Sequence, residues 1–94
     1  LFTNTGASGA VTFTLPAITA GAGPFSFLTI ADQTVTIASA EGDNVVTFND
    51  ASADSVAFST SNEKIGSLVR VYSNFAGTKW LVEKLCSNTM TIAT

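Results

Sequence analysis

Apolar and polar residues alternate with a period of two along most of this chain, the spacing that sends successive side chains to opposite faces of a β-strand. In Ala10-Val11-Thr12-Phe13-Thr14-Leu15 the pattern puts Val11, Phe13 and Leu15 on one face and the threonines on the other. Pro16 then ends the strand, because proline has no N–H to give to a ladder. Pro24 opens a second run, Phe25-Ser26-Phe27-Leu28-Thr29-Ile30, and Thr34-Val35-Thr36-Ile37 follows the polar pair Asp32-Gln33. The short polar link predicts a hairpin between those two runs.

Further strands are predicted over Val45-Val46-Thr47-Phe48, Ser55-Val56-Ala57-Phe58, Ser67 to Tyr72, Lys79 to Lys84 and Thr89-Met90-Thr91-Ile92. Turn-forming residues separate them: Thr5 to Gly9, Gly21 to Gly23, Glu41 to Asn44, Asn49 to Asp54, and Ala76-Gly77. No window carries a helical period. A single helical turn around Ala51 to Ser55 is the best prospect, while Thr60 to Lys64 joins strands. Regularly spaced short strands predict an all-β fold: an antiparallel sandwich, jelly roll or barrel-like single domain of about eight strands spanning residues 1–94. The expected core is Val11, Phe13, Leu15, Phe27, Ile30, Val35, Ile37, Val69, Val71, Trp80 and Val82. Tyr72, Phe75 and Trp80 flank one turn, and Tyr72 is expected to pack on Trp80 across it.

With 94 residues the chain has room for one core and little to spare, so it needs a disulfide, a metal or a partner to be robust. Cys86 is the only cysteine and there is no histidine, which excludes an internal disulfide and the usual transition-metal clusters. Cys86, beside Leu85, is expected to be a buried, inert thiol. Oligomerisation is the remaining support.

Only 12% of residues are charged, about half of the roughly 25% usual for soluble domains. Thr, Ser, Ala and Gly fill the gap, giving a surface suited to being covered by another protein. The net charge is −3, and Lys64, Arg70, Lys79 and Lys84 are scattered, which argues against nucleic acid. No apolar run is long enough for a transmembrane helix, so no membrane partner is expected. The chain starts at Leu1-Phe2-Thr3, which already has strand character. This is expected of a processed chain or of part of a longer one.

Catalysis requires a nucleophile or proton-transfer group held by partners, and the sequence offers none, so neither an enzyme nor a cofactor is expected. The carboxylates sit in turns. Asp43, Asn44, Asn49, Asp50 and Asp54 are hard oxygen donors that would suit calcium if the fold gathered them, but their spacing is not that of an EF-hand. Their simpler role is to bond the turn backbone. The glycines of Gly6 to Gly9 and Gly21 to Gly23 lack the Lys-Ser/Thr and helix of a phosphate loop and are turn glycines.

The order of several segments resembles a β-rich virion module of tailed bacteriophages, found in capsid decoration proteins, head fibres and the ends of tail fibres and spikes. The segments are Thr3 to Pro16, Thr34 to Ile37 leading into Gly42-Asp43-Asn44-Val45, Gly66 to Val71, and Thr78 to Val82. The resemblance runs to about Glu83. It departs in two places: such modules carry another strand before the Leu1-Phe2 position, and Cys86 to Thr94 extends beyond the shared pattern. The resemblance implies a non-catalytic structural protein of the virion, a homotrimer bound to the major capsid protein or another virion protein. On this reading it decorates and stabilises the assembled head. The alternative it implies is a tail-fibre or tailspike module that binds a host receptor or surface glycan.

Exposed strand edges and soft loops are the expected contact surfaces. These are Leu1, Phe2 and Thr3 at the N-terminus, Ala17, Ile18, Thr19, Gly21 and Gly23 in a mobile loop, and Met90 and Ile92 in the last strand.

Overall fold

The computed structural model describes residues 1–94 and contains ten strands and no helix. They are β1 (Phe2–Thr3), β2 (Val11–Thr14), β3 (Phe25–Leu28), β4 (Val35–Ala38), β5 (Val45–Thr47), β6 (Asp50–Ala53), β7 (Ser55–Phe58), β8 (Leu68–Ser73), β9 (Trp80–Lys84) and β10 (Thr91–Ala93). The all-β, sandwich-like architecture expected from the alternation is the one that forms. A six-stranded sheet has the order β1-β3-β8-β9-β5-β6, and a four-stranded sheet the order β10-β7-β4-β2. The expectation of antiparallel sheets is corrected, since both sheets are mixed: β1 with β3, β2 with β4, and β5 with β9 pair in parallel.

Each sheet turns its apolar face inward. Val69, Val71, Val45 and Trp80 from the six-stranded sheet meet Val35, Ile37, Val56 and Phe58 from the four-stranded one, all at most 1% exposed. At the β1/β2 side, aromatic rings bridge the layers. Phe2 stacks on Phe27 with centroids 5.3 Å apart, and Phe13 meets Phe27 at 5.2 Å. Of the expected core, Leu15, Phe27, Val35, Ile37, Val69, Val71 and Trp80 are buried, and Val11, Phe13 and Val82 are partly covered.

Ile30 is not core: it is 45% exposed, and Thr29 is buried in its place. Alternation carried strictly from Phe27 points Thr29 inward and Ile30 outward. Met90, expected at a contact surface, is also a correction, since it is 4% exposed and sits in the core. The Glu63 carboxylate draws its segment in by accepting bonds from the Thr89 N–H and hydroxyl at 3.0 and 2.9 Å.

The expected hairpin of Phe25–Ile30 with Thr34–Ile37 does not form. β3 pairs with β1 and β8, whereas β4 pairs with β2 and β7 in the other sheet. Residues 29–34 therefore cross between layers, and Asn4 holds the crossing. Its Oδ1 accepts from the N–H groups of Ile30 and Ala31 at 2.8 and 2.9 Å, and its Nδ2 donates to the Ala31 carbonyl at 3.1 Å. Replacing the buried Asn4 with Ala removes all three bonds. Because an unsatisfied part-buried donor loses about 1–3 kcal/mol, Asn4→Ala should lower stability by about 2 kcal/mol, read as a lower urea midpoint. A midpoint equal to that of the parent would show that the crossing holds without this clamp.

The helical turn expected over Ala51 to Ser55 is replaced by β6, an edge strand joined to β5 by a two-residue turn. Phe48 and Asn49 have φ of 45° and 60°, as in a type I′ hairpin. Asn accepts this conformation readily. A bulky aromatic does so at about 1–2 kcal/mol, because its Cβ crowds the following carbonyl.

Candidate docking face and the acidic turns

Register determines what the four-stranded sheet shows to the outside. Its inward ladder is Phe13, Ile37, Val56 and Ile92, so the neighbouring positions face out. One outward row reads Thr12, Thr36, Ala57 and Thr91 across the four strands, and the next reads Thr14, Ala38, Ser55 and Ala93. Neither row contains a charge, an aromatic ring or a long side chain. Such a face is flat and nearly free of side-chain entropy, so covering it orders little. The threonine hydroxyls supply hydrogen bonds at its surface; that of Thr91 donates to the Ala57 carbonyl at 3.3 Å.

The residues expected to make contacts are not gathered into one patch. Leu1 and Phe2 are 77% and 45% exposed, and with the half-buried Thr3 they lie at the β1 edge of the six-stranded sheet. Ile92, 36% exposed, is on β10, the edge of the other sheet remote from β2. Near it, the Asp54 N–H donates to the Ala93 carbonyl at 2.7 Å, which ties β10 to the β6–β7 junction.

The segment from Ala17 to Gly23, expected to be mobile, is tied down. The Ile18 N–H donates to Glu41 Oε2 at 3.2 Å, the Ala22 N–H to Ser73 Oγ at 2.9 Å, and the Ser73 N–H back to the Ala22 carbonyl at 3.0 Å. Ala17, Thr19, Gly21 and Gly23 remain exposed, while Ile18 and Ala22 pack on the core. The outward Thr/Ala/Ser rows were written in the alternation of the strands, but only knowledge of which strands are neighbours assembles them into a face.

The acidic turns act on their own backbone. Asp54 Oδ1 accepts the Asp43 N–H at 2.7 Å, and Asp50 Oδ1 accepts the Ser52 N–H at 2.8 Å. Between the two turns lies an ammonium group: Lys79 Nζ donates to the carbonyls of Asp43 and Ala51 at 2.7 and 2.9 Å. The protein's own lysine thus takes carbonyl oxygens that a calcium ion would need. No group of three or more His, Cys, Asp or Glu side chains is placed to hold a metal.

Tyr72 does not pack on Trp80. Tyr72 opposes Leu81 on the outer face of the six-stranded sheet, while Trp80 opposes Ser73 and points inward onto Phe25, with ring centroids 6.0 Å apart. Phe75, at the tip of the β8–β9 turn, is fully exposed. Cys86 is half-buried against the core, not enclosed by it. No family model, no curated protein and no solved structure matches this chain.

Proposed function

We propose that the protein is a structural virion component, a capsid decoration protein that binds the assembled phage head and stabilises it through protein–protein contacts. The observation that carries this reading is the uncharged double row of Thr, Ala and Ser on the four-stranded sheet, together with the ordered segments that resemble phage virion modules. Only 12% of the residues are charged and none of them lies in these two rows, so the face meets a neighbour without bringing charge to it. Assembly as a homotrimer would raise the number of contacts per particle without any new chemistry.

The mechanism is mass action. A protein that binds the assembled shell and not its free subunits shifts the equilibrium toward the shell, by about 2.7 kcal/mol per site at a hundredfold excess over Kd. The test compares the binding of the purified protein to assembled shells and to unassembled major capsid protein. Binding confined to shells is expected, with Thr12→Arg and Thr91→Arg each weakening it at unchanged melting temperature. Equal affinity for free subunits, or arginine variants that bind as the parent does, would overturn the proposal.

A further inference from the structure

The flank where the β1 and β2 edges meet is open, with the rings of Phe2 and Phe13 6.1 Å apart across it. β2 is the last strand of its sheet and pairs only with β4. The N–H groups of Val11 and Leu15 donate to the Thr34 and Ala38 carbonyls at 2.9 and 2.8 Å. The N–H and C=O groups of Thr12 and Thr14, which alternate with them, therefore point to the free edge. Beside that edge is an apolar hollow of about 110 Å³, walled by Phe2, Phe13, Leu15, Pro16, Phe25 and Phe27, with Thr14 its one polar side chain.

We infer that this edge binds an extended peptide arm of another protein, which adds a strand along β2 and seats one apolar side chain in the hollow. This goes beyond the docking reading, since it uses an edge of the sheet and not its face.

β2 differs from the other edges. β6 is as long, but two of its backbone groups are taken by side chains: Lys79 Nζ donates to the Ala51 carbonyl, and Asp50 Oδ1 accepts the Ser52 N–H. β1 and β10 have two and three residues. β2 has four, with no charge, proline or bulge among them, the devices that usually keep an edge from pairing. An open edge of this kind is a template for one more strand.

The alternation of the added strand sets its chemistry. Its inward side chains enter between the layers, where the hollow takes one leucine or phenylalanine side chain. Its outward side chains extend the rows of Thr12 and Thr14, where small polar residues fit. No charged side chain lines the hollow or belongs to β2, so nothing offsets the desolvation of a charge brought there. A second copy of this chain does not meet these requirements. The strands it could offer, β1, β2 and β10, turn Phe2, Phe13 and Ile92 toward their own sandwich, so pairing two copies leaves the hollow unfilled. An arm without a core of its own brings a free apolar side chain.

The experiment titrates isotope-labelled protein with a soluble, blocked peptide that alternates threonine and leucine, followed by amide chemical shifts. Saturable shifts should be confined to Val11–Leu15, Phe2 and Phe25–Phe27, and the Thr12 and Thr14 amides should exchange more slowly with solvent. Aspartate in place of leucine in the peptide should weaken binding by about tenfold or more. Methylating the peptide's backbone nitrogens should abolish binding, which tests the ladder without altering the protein. Thr14→Pro removes only an outward N–H, as an edge strand tolerates, and should abolish binding at an unchanged melting temperature. Thr91→Arg, on the far edge strand of the same sheet, should leave the titration unchanged while it weakens shell binding, so the two readings fail separately. No saturable shift at millimolar peptide, equal affinity for the N-methylated peptide, shifts centred on β6 or β10, or a Thr14→Pro variant with parental affinity would each overturn the inference. Concentration-dependent shifts of the same residues without peptide would overturn it too, because a second copy would then hold the edge.

Discussion

Replacing Trp80 with Ala should lower the stability of the domain by about 3–5 kcal/mol, a third or more of what a domain of this size possesses. Trp80 opens β9 and is 0% exposed. Its backbone lies between Val45 of β5, in parallel, and Ser73 of β8, in antiparallel register. Its ring is the largest fully buried side chain, and truncation leaves a void that Phe25, in contact with it at 6.0 Å, cannot fill from a strand fixed by β1 and β8. The indole Nε1 is buried with no hydrogen-bond partner, so Trp80→Phe removes an unsatisfied donor along with some volume. That variant should lose less than about 2 kcal/mol. Urea melts followed by circular dichroism compare the three proteins, since Trp80 is the sole tryptophan and fluorescence disappears with it. A Trp80→Ala midpoint within error of the parent would remove Trp80 from the centre of the core and undo the assignment of the inward faces.

Trp80 also marks how far the sequence could be read. A period of two tells which side chains share a face, and that was enough to place Val35, Ile37, Val69, Val71 and Trp80 inside. It carries no information about which strand lies alongside which. Asp32-Gln33 looks like a hairpin link because its composition is local, but the fold at that point is decided by Asn4, more than twenty-five residues away, whose side chain bonds Ile30 and Ala31. The three parallel pairings are equally invisible, since each joins strands that are not consecutive.

β6 was missed for a different reason. Asp50-Ala51-Ser52-Ala53 has the composition of a turn, and only Ala53 is buried, as an edge strand allows. The docking face was half legible: the outward threonines follow from alternation, but their neighbours Ala57 and Ser55 come from β7, whose place between β4 and β10 no local pattern records. The β5–β6 turn was less legible still: Phe48 reads as the last apolar position of a strand, and its left-handed conformation is set by the two-residue turn that closes β5 on β6.

Gly77→Ala should be nearly as damaging as loss of the tryptophan, at about 2–5 kcal/mol, although it adds only one methyl group at the surface. Gly77 follows Phe75 and Ala76 in the β8–β9 turn and has φ of 72°, where an L-residue crowds its own carbonyl. A Cβ at this position would also lie 2.5 Å from the Ala20 nitrogen and 3.0 Å from the Ala20 Cα, so the obstacle is backbone and cannot rotate away. Ala20 cannot retreat either, because its segment is bonded through Ile18 to Glu41 and through Ala22 to Ser73. Gly6→Ala separates the two effects: φ is 79° there, but nothing lies within 4 Å of the added carbon, so only the conformational term of about 1–2 kcal/mol applies. Thermal melts of the two variants should therefore differ, with Gly77→Ala the lower. Equal melting temperatures would mean that the Ala17–Gly23 segment yields without resistance, and that its bonds to Glu41 and Ser73 do not hold it in place.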